Sequence, residues 1–140
     1  MSRRYVLDAS ALSLYFAGSR EVKQLVDSAY SGRVKLFMCE VNVAEFLYNC
    51  ARVLGWEAAL ARHALVRSSP IEVVGVDEEL TVEAARLKLR RAGKLSLADS
   101  YLVALAKLRK ATVVIADAGI NEIGEVPVVL VPLTNRYFRG

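Results

Sequence analysis

The segment KLSLADSYLVALAKLRKATVVIAD, residues 94–117, joins an apolar helix pattern to an apolar strand pattern. Its first part, from Ser96 to about Arg109, predicts a helix that is apolar on nearly every side. Its second part, ATVVIAD, is a continuous apolar run, which is typical of a parallel strand buried on both faces. Asp99 and Asp117 interrupt these runs, although carboxylates are rarely buried without a partner. The segment therefore predicts a buried helix and a buried strand, each with an acid that needs a partner.

The same two patterns alternate along the rest of the chain. Strands are predicted over residues 3–8, 34–39, 71–76, 111–117 and 126–133, and helices over residues 9–18, 19–32, 41–54, 56–67, 78–93 and 96–109. Such alternation is typical of an α/β domain with a mainly parallel central β-sheet flanked by α-helices. Because no linker or repeat interrupts the pattern, residues 1–140 are expected to form a single domain.

The composition indicates a compact, non-membrane protein. The chain has 140 residues, of which 54% are hydrophobic, enough to form a core. No apolar run approaches the roughly 18 residues that span a bilayer, and the N-terminal segment is too short for a signal-peptide core. We therefore expect a cytoplasmic protein with no membrane partner. The net charge of +4 is compatible with a polyanionic partner.

Several functional classes are excluded by residues that the chain lacks. The single histidine, His63, and the two cysteines, Cys39 and Cys50, are too few for the usual structural zinc sites. We expect both cysteines to be buried, reduced thiols. One histidine also excludes a ribonuclease that uses a histidine pair within one chain. The phosphate-binding patterns GxGxxG and GxxxxGK[ST] are absent.

Two aspartates each follow a predicted strand. Asp8 ends the first strand and Asp117 ends the strand at residues 111–117. The carboxyl ends of parallel strands form the edge at which open α/β sheets bind ligands, and adjacent strands are about 5 Å apart. The alternatives are ordinary ones: Asp8 as a helix N-cap and Asp117 as a turn residue.

Two further acids lie on predicted helices. Asp99 falls in SLAD, which matches a capping box with Ser96 as the cap. Glu45 belongs to a polar helical stripe, and its alternative is a solvated helix face. Glu40 is a second candidate acid just before the same helix. On this helix the stripe expected to face the core contains Val43, Phe46, Leu47, Cys50, Val53 and Leu54, and the polar stripe contains Asn42, Glu45, Asn49 and Arg52.

A cluster of four carboxylates would need raised pKa values or a bound cation. At 4 Å, two like charges repel by about 4 kcal/mol at an effective dielectric constant of 20. Ligands made only of oxygen select a hard ion, Mg²⁺ or Mn²⁺. Magnesium usually keeps several waters, so some of the four acids would hold waters and not the metal.

Four segments occur in order along the chain: YVLDASAL (5–12), NVAEFLYN (42–49), LSLADSYLVALA (95–106) and TVVIAD (112–117). With them the sequence resembles the PIN-domain ribonucleases, and among these the VapC-type toxins of prokaryotic toxin–antitoxin pairs. The resemblance covers nearly the whole chain. It implies a single PIN-like nuclease domain over residues 1–140, with a parallel sheet and one metal site formed by Asp8, Glu45, Asp99 and Asp117. Ser10 matches a hydroxyl residue often found two places after the first acid.

The sequence departs from the family near the last acid. Ile115 stands where many relatives have Thr or Ser, and Ile120 replaces an aromatic residue that is often present. Both changes affect the surroundings of Asp117 without removing an acid.

The expected activity is metal-dependent endonucleolytic hydrolysis of RNA. Asp8, Asp99 and Asp117 would hold Mg²⁺ or Mn²⁺ directly or through water, Glu45 would complete the site, and Ser10 would orient a carboxylate. Phosphate contacts are expected from a basic run before the Asp99 helix: Arg86, Lys88, Arg90, Arg91 and Lys94. The alternative for this run is a solvated helix face.

The resemblance also implies a homodimer and a cognate antitoxin protein. Two other functions stay open at the level of sequence. One is a catalytically silent protein of the same fold that binds RNA or protein. The other is a phosphotransferase or phosphatase with Asp8 as its nucleophile.

Overall fold

The computed structural model describes residues 3–116 and 124–133, which form an α/β domain. The order of elements confirms the predicted alternation of strands and helices. The strands are β1 (Arg3–Leu7), β2 (Val34–Cys39), β3 (Ile71–Val74), β4 (Thr112–Ile115) and β5 (Val128–Leu130). The helices are α1 (Ala9–Phe16), α2 (Arg20–Tyr30), α3 (Glu40–Leu54), α4 (Trp56–Arg67), α5 (Glu78–Arg90) and α6 (Leu97–Arg109).

The five strands form one parallel sheet in the order β3-β2-β1-β4-β5. The chain builds outward from β1 to β3 and then returns to the other side of β1 with β4. This reversal makes a crevice at the carboxyl ends of β1 and β4, where sheets of this kind bind ligands. Leu7 pairs with Val114 in this register, so the residues that follow the two strands are neighbours.

Polar side chains fix the starts of the helices that lead away from the strands and turns. Asp8 caps α1 by accepting a hydrogen bond from the backbone N–H of Ala11. Asp77 caps α5 and Ser96 caps α6 in the same way, which confirms the cap predicted at Ser96. Each of these bonds satisfies a backbone donor that the helix itself leaves free.

The hydrophobic core lies on both faces of the sheet. On one face, α5 and α6 pack against alternate strand residues such as Val6 and Val113. On the other face, helices α1 to α4 pack against residues of the opposite register, such as Leu7 and Val114. Burial on both faces explains why Val6 and Leu7 of β1 and Val113 to Ile115 of β4 are consecutive apolar residues that do not alternate with polar ones.

Three expectations about burial were wrong in part. β5 is an edge strand, so Val129 and Leu130 are exposed. Burial in α3 is confined to its first half, which leaves Val53 and Leu54 exposed, whereas Asn42 of the predicted polar stripe is completely buried.

Smaller differences concern α3 and the thiols. α3 begins at Glu40, so this acid lies within the helix. Cys39 is buried and Cys50 half-buried, and both are free. None of the helices in residues 3–116 and 124–133 is long and apolar enough to cross a membrane.

Two leucines of α5 provide a matched test of this core. Leu87 is completely buried between α5 and α6, whereas Leu89 is 81% exposed. We expect Leu87→Ala to lower the free energy of unfolding by about 2–5 kcal/mol, because it leaves a cavity. Leu89→Ala should change it by less than about 0.5 kcal/mol. Urea denaturation of both variants checks this, and equal losses would contradict the packing of α5.

Candidate functional site

A cleft of 790 Å³ opens at the carboxyl edge of the sheet, at the crevice between β1 and β4. Three of the predicted acids, Asp8, Glu45 and Asp99, line this cleft although they come from three different elements. Asp117 and Ile120 lie outside the described residues. The full described lining is Asp8, Ala9, Ser10, Ser13, Leu14, Glu45, Asn49, Ser96, Asp99, Ala116 and Leu133.

Asp8 is held rigidly at the end of β1. It is only 8% exposed, and its Oδ1 accepts a hydrogen bond of 2.8 Å from the backbone N–H of Ala11. The hydroxyl of Ser10 lies 2.7 Å from Oδ1 and 2.8 Å from Oδ2, where it donates to the carboxylate. The start of α1 therefore fixes the orientation of this acid.

Ser10 also connects β1 to β4. Its Oγ accepts a hydrogen bond of 3.0 Å from the backbone N–H of Ala116, the residue that follows β4. The backbone N–H of Asp8 donates to the carbonyl of Val114 at 3.2 Å. One hydroxyl thus couples the Asp8 carboxylate to the end of the neighbouring strand.

Glu45 is positioned by Asn42, which sequence analysis placed on the polar stripe without giving it a role. The Asn42 Nδ2 donates to Oε1 of Glu45 at 3.1 Å and to the carbonyl of Ala98 at 3.3 Å. It therefore ties α3 to the start of α6, next to Asp99. The available signal was a polar residue three places before Glu45 in an apolar helix.

Asp99 occupies the first turn of α6. Its backbone N–H donates to the Oγ of Ser96 at 3.0 Å, so the capping role predicted for Ser96 is present. Asp99 is partly exposed and lines the same cleft as Asp8. Glu40, the alternative acid, does not line the cleft: its carboxylate binds Arg67 at 2.7 and 2.9 Å, which lowers its pKa.

The three acids of the cleft interact electrostatically. The pKa of Asp8 is raised from 3.8 to about 6. Burial is the main cause, and the charges of Asp99 and Glu45 also contribute to this rise. The hydrogen bonds from Ser10 and Ala11 act in the opposite direction, because they stabilise the carboxylate. The cleft therefore favours a cation beside Asp8 at neutral pH, where a carboxyl with a pKa of about 6 is mostly ionised.

The chemistry of these donors fits a hard divalent cation. The acids supply only carboxylate oxygens, the ligands that Mg²⁺ and Mn²⁺ prefer. The buried Oδ1 of Asn42, beside Glu45, has no hydrogen-bond partner in the part of the chain that the structure describes. Within residues 3–116 and 124–133, no three Asp, Glu, His or Cys side chains are grouped closely enough to coordinate one ion.

The predicted phosphate-binding run lies on α5 and in the turn after it, outside the described lining of the acid cleft. Its first member, Arg86, pairs with Glu83 on its own helix at 3.1 Å. Lys88 donates to the carbonyl of Leu95 at 2.6 Å, and Lys94 is exposed.

Arg90 and Arg91 both bind Glu125, at 3.1 and 2.9 Å. Glu125 precedes β5, at the edge of the sheet opposite the acid cleft, and also binds Lys107 near the end of α6. A role of the run in binding RNA stays a prediction.

The sequence matches the family model of the PIN domain over residues 5–126. The chain belongs to the PIN domain family. This confirms the resemblance found in the sequence and accounts for the parallel sheet with its cleft at the switch point. No curated protein matched the sequence.

Solved structures share the fold of this PIN domain across most of its length. VapBC2 from Rickettsia felis, bound to a DNA fragment from their promoter, has a TM-score of 0.74 at 14% identity, over 91% of this chain and 98% of that chain. VapC20 from Mycobacterium tuberculosis, a Sarcin-Ricin loop cleaving toxin, has a TM-score of 0.69 at 18% identity, over 86% of this chain and 95% of that chain. PAE2754 from Pyrobaculum aerophilum has a TM-score of 0.65 at 23% identity, over 94% of this chain and 92% of that chain.

The raised pKa of Asp8 predicts a pH-dependent cost in stability. As the pH rises from about 4 to about 6, the unfolded chain loses its Asp8 proton while the folded PIN domain keeps it. Stability is therefore highest below pH 4 with respect to this group and falls as the pH rises through the folded pKa of about 6. A rise of about 2 in pKa corresponds to about 3 kcal/mol.

Asp8→Asn should remove this cost, because Asn keeps the helix cap without the charge. In metal-free buffer at pH 8 we expect the variant to be more stable than the wild type by up to about 3 kcal/mol, and to lose the decline between pH 4 and pH 6. Urea denaturation across this range measures both. The control is Asp77→Asn, which changes another capping aspartate. A variant less stable than the wild type at pH 8 would contradict the assignment.

Proposed function

We propose that this PIN domain is a metal-dependent endoribonuclease, the toxin of a VapBC-type toxin–antitoxin pair. The observation that carries the proposal is the convergence of Asp8, Glu45 and Asp99 on one cleft at the switch point of the sheet. The structural similarity to VapC20, described as a toxin that cleaves the Sarcin-Ricin loop, supports RNA as the substrate.

In this proposal Asp8, Asp99 and Asp117 hold Mg²⁺ or Mn²⁺ directly or through water, and Glu45 completes the site. A bound ion would supply Lewis-acid polarisation of the phosphate and would lower the pKa of a water for attack on phosphorus. Asp8 contributes a carboxylate whose orientation is set by Ser10 and Ala11. Glu45, held by Asn42, brings a second carboxylate to the same cleft.

The Ser10 hydroxyl is a positioning group in this account. It touches the Asp8 carboxylate on one side and the N–H of Ala116 on the other. Ala116 directly precedes Asp117 in the sequence. Ser10 therefore acts on the spacing between the two acids that follow β1 and β4.

A phosphotransferase with Asp8 as nucleophile receives less support. Hydrogen bonds from Ala11 and Ser10 reach the Asp8 carboxylate, and these lower its nucleophilicity. The described lining of the cleft contains no lysine or arginine to receive a phosphoryl group. The acid cluster also gives Glu45 and Asp99 a purpose that this alternative does not.

The proposed protein partner is also inferred from structural similarity. The neighbour from Rickettsia felis is a VapBC assembly, and this supports a cognate antitoxin for the PIN domain. A homodimer and a cytoplasmic location complete the proposal.

The direct test is cleavage of a labelled structured RNA in the presence of Mg²⁺ or Mn²⁺. We expect Asp99→Asn to lower the rate more than the ~10- to 100-fold that is typical when a residue only supports a metal ligand. Asp77→Asn is the matched control, because Asp77 lies at the start of α5 and does not line the cleft. Its rate should equal that of the wild type.

Two results would contradict the proposal. One is cleavage that persists at the wild-type rate in Asp99→Asn. The other is cleavage that continues after chelation of divalent ions. A loss shared equally by Asp99→Asn and Asp77→Asn would indicate a general effect of helix capping and not a catalytic role.

A further inference from the structure

A second cleft, of 750 Å³, lies at the opposite, amino-terminal edge of the sheet. We call it the amino-edge cleft. Four of its seven lining residues are cationic and none is acidic. The lining consists of Arg3, Arg4, Tyr5, Lys35, Leu108, Lys110 and Thr112. These residues come from β1, β2, β4 and the end of α6, so the fold itself brings the charges together.

Like charges meet inside this cleft. Arg4 of β1 is directly opposite Lys35 of β2 in the register of the sheet, an arrangement that destabilises paired strands. Both side chains are exposed. Among the ion pairs of the described residues, none involves Arg3, Arg4, Lys35 or Lys110. A bound anion would relieve this repulsion.

Lys110 adds a cation at a position that the backbone would otherwise give to glycine. It ends α6 with φ 53°, in the left-handed region, which side chains rarely adopt and glycine adopts freely. It is the one non-glycine residue with positive φ in the described ranges. A lysine is thus kept in an unfavourable conformation on the wall of a basic cleft.

Glu125 does not cancel this charge. It lies near Lys110 beside the cleft, but its carboxylate binds Arg91 at 2.9 Å, Arg90 at 3.1 Å and Lys107 at 3.4 Å. A neighbouring pocket, which meets the cleft at Leu108, is lined by four acids: Asp77, Glu78, Glu79 and Glu83. The positive charge is therefore confined to the amino-edge cleft, whose own lining contains no acid.

We propose that the amino-edge cleft binds the phosphate backbone of the RNA substrate, away from the site of cleavage. This inference rests on the proposed ribonuclease function. The described part of the acid cleft is lined by carboxylates and contains no cationic side chain, so cations elsewhere on the domain are needed to hold the rest of the RNA backbone. The basic run on α5 is largely occupied by internal partners. The amino-edge cleft supplies the missing cations.

Geometry favours a folded RNA over a short strand. Arg4 lies on β1, and Asp8 directly follows this strand four residues later, which corresponds to about 13 Å in an extended chain. A stem–loop can contact both edges of the domain at once, and helical RNA is recognised mainly through its phosphates and shape. A short oligonucleotide in the acid cleft would leave the amino-edge cleft free.

The test measures binding of a labelled RNA stem–loop, in chelator to prevent cleavage, between about 50 and 200 mM salt. The variants are Lys110→Gly and Lys35→Gln, and the control is Arg20→Gln, at the start of α2 and outside the cleft lining. For each lost phosphate contact, the slope of log affinity against log salt should become less steep by about 0.7–0.9. Arg20→Gln should keep the wild-type slope.

Lys110→Gly separates charge from folding, because glycine suits the backbone at this position. Its melting temperature should equal or exceed that of the wild type while its RNA affinity falls. With metal present, the variants should raise KM for the stem–loop and leave kcat and the cleavage of a short oligonucleotide unchanged.

Three results would overturn the inference. The first is a wild-type salt slope in both cleft variants, and the second is an equal loss of RNA affinity in Arg20→Gln. The third is that the cleft variants lose affinity for an acidic peptide or for the DNA version of the stem–loop but keep their affinity for RNA. If the wild type cleaves RNA but the variants bind normally, only this inference fails. If the salt slope becomes less steep in the variants but the wild type never cleaves RNA, the cleft binds RNA and the proposed nuclease function fails.

Discussion

The contact between the ends of β1 and β4 is the constraint on which the site depends. The backbone N–H of Asp8 donates to Val114, and the Ser10 hydroxyl joins the Asp8 carboxylate to the N–H of Ala116. These bonds join the ends of β1 and β4 at the switch point of the sheet and fix the position of the first acid, Asp8. α3 and α6 then bring Glu45 and Asp99 to the same cleft, so the meeting of the three acids depends on the register of two central strands.

The clustered carboxylates that serve the proposed function also destabilise the folded chain. A buried carboxylate beside two others is unfavourable for the folded chain, which is why burial and the neighbouring charges raise the pKa of Asp8. A divalent cation would remove the conflict by compensating the clustered charge. At the other edge of the sheet, Arg4 and Lys35 create the opposite problem, for which phosphates are the complementary ligand. The domain is thus electrostatically polarised along β1.

Much of the fold follows from local sequence patterns, because periodicity and capping residues act over short distances. The continuous apolar run of β4 and the cap Ser96 are examples. Tertiary position is not written in such patterns: Val129 and Leu130 look buried but lie on an edge strand, and Asn42 looks solvated but is buried. Asp8, Asp99 and Asp117 could be proposed from strand ends and a helix start, and Glu45 from a polar helical stripe. The role of Asn42 and the amino-edge cleft depend on contacts between elements distant in sequence.

The central claim is that the three described acids form one electrostatic cluster that a divalent cation completes. Carboxyl ¹³C NMR of Asp8, titrated with pH in metal-free buffer and again with Mg²⁺, tests this most directly. The account predicts a pKa of about 6 without metal, a lower pKa when Glu45 or Asp99 is replaced by its amide, and a marked fall when Mg²⁺ is added. A pKa near the ordinary 3.8 that responds neither to those substitutions nor to Mg²⁺ would contradict it.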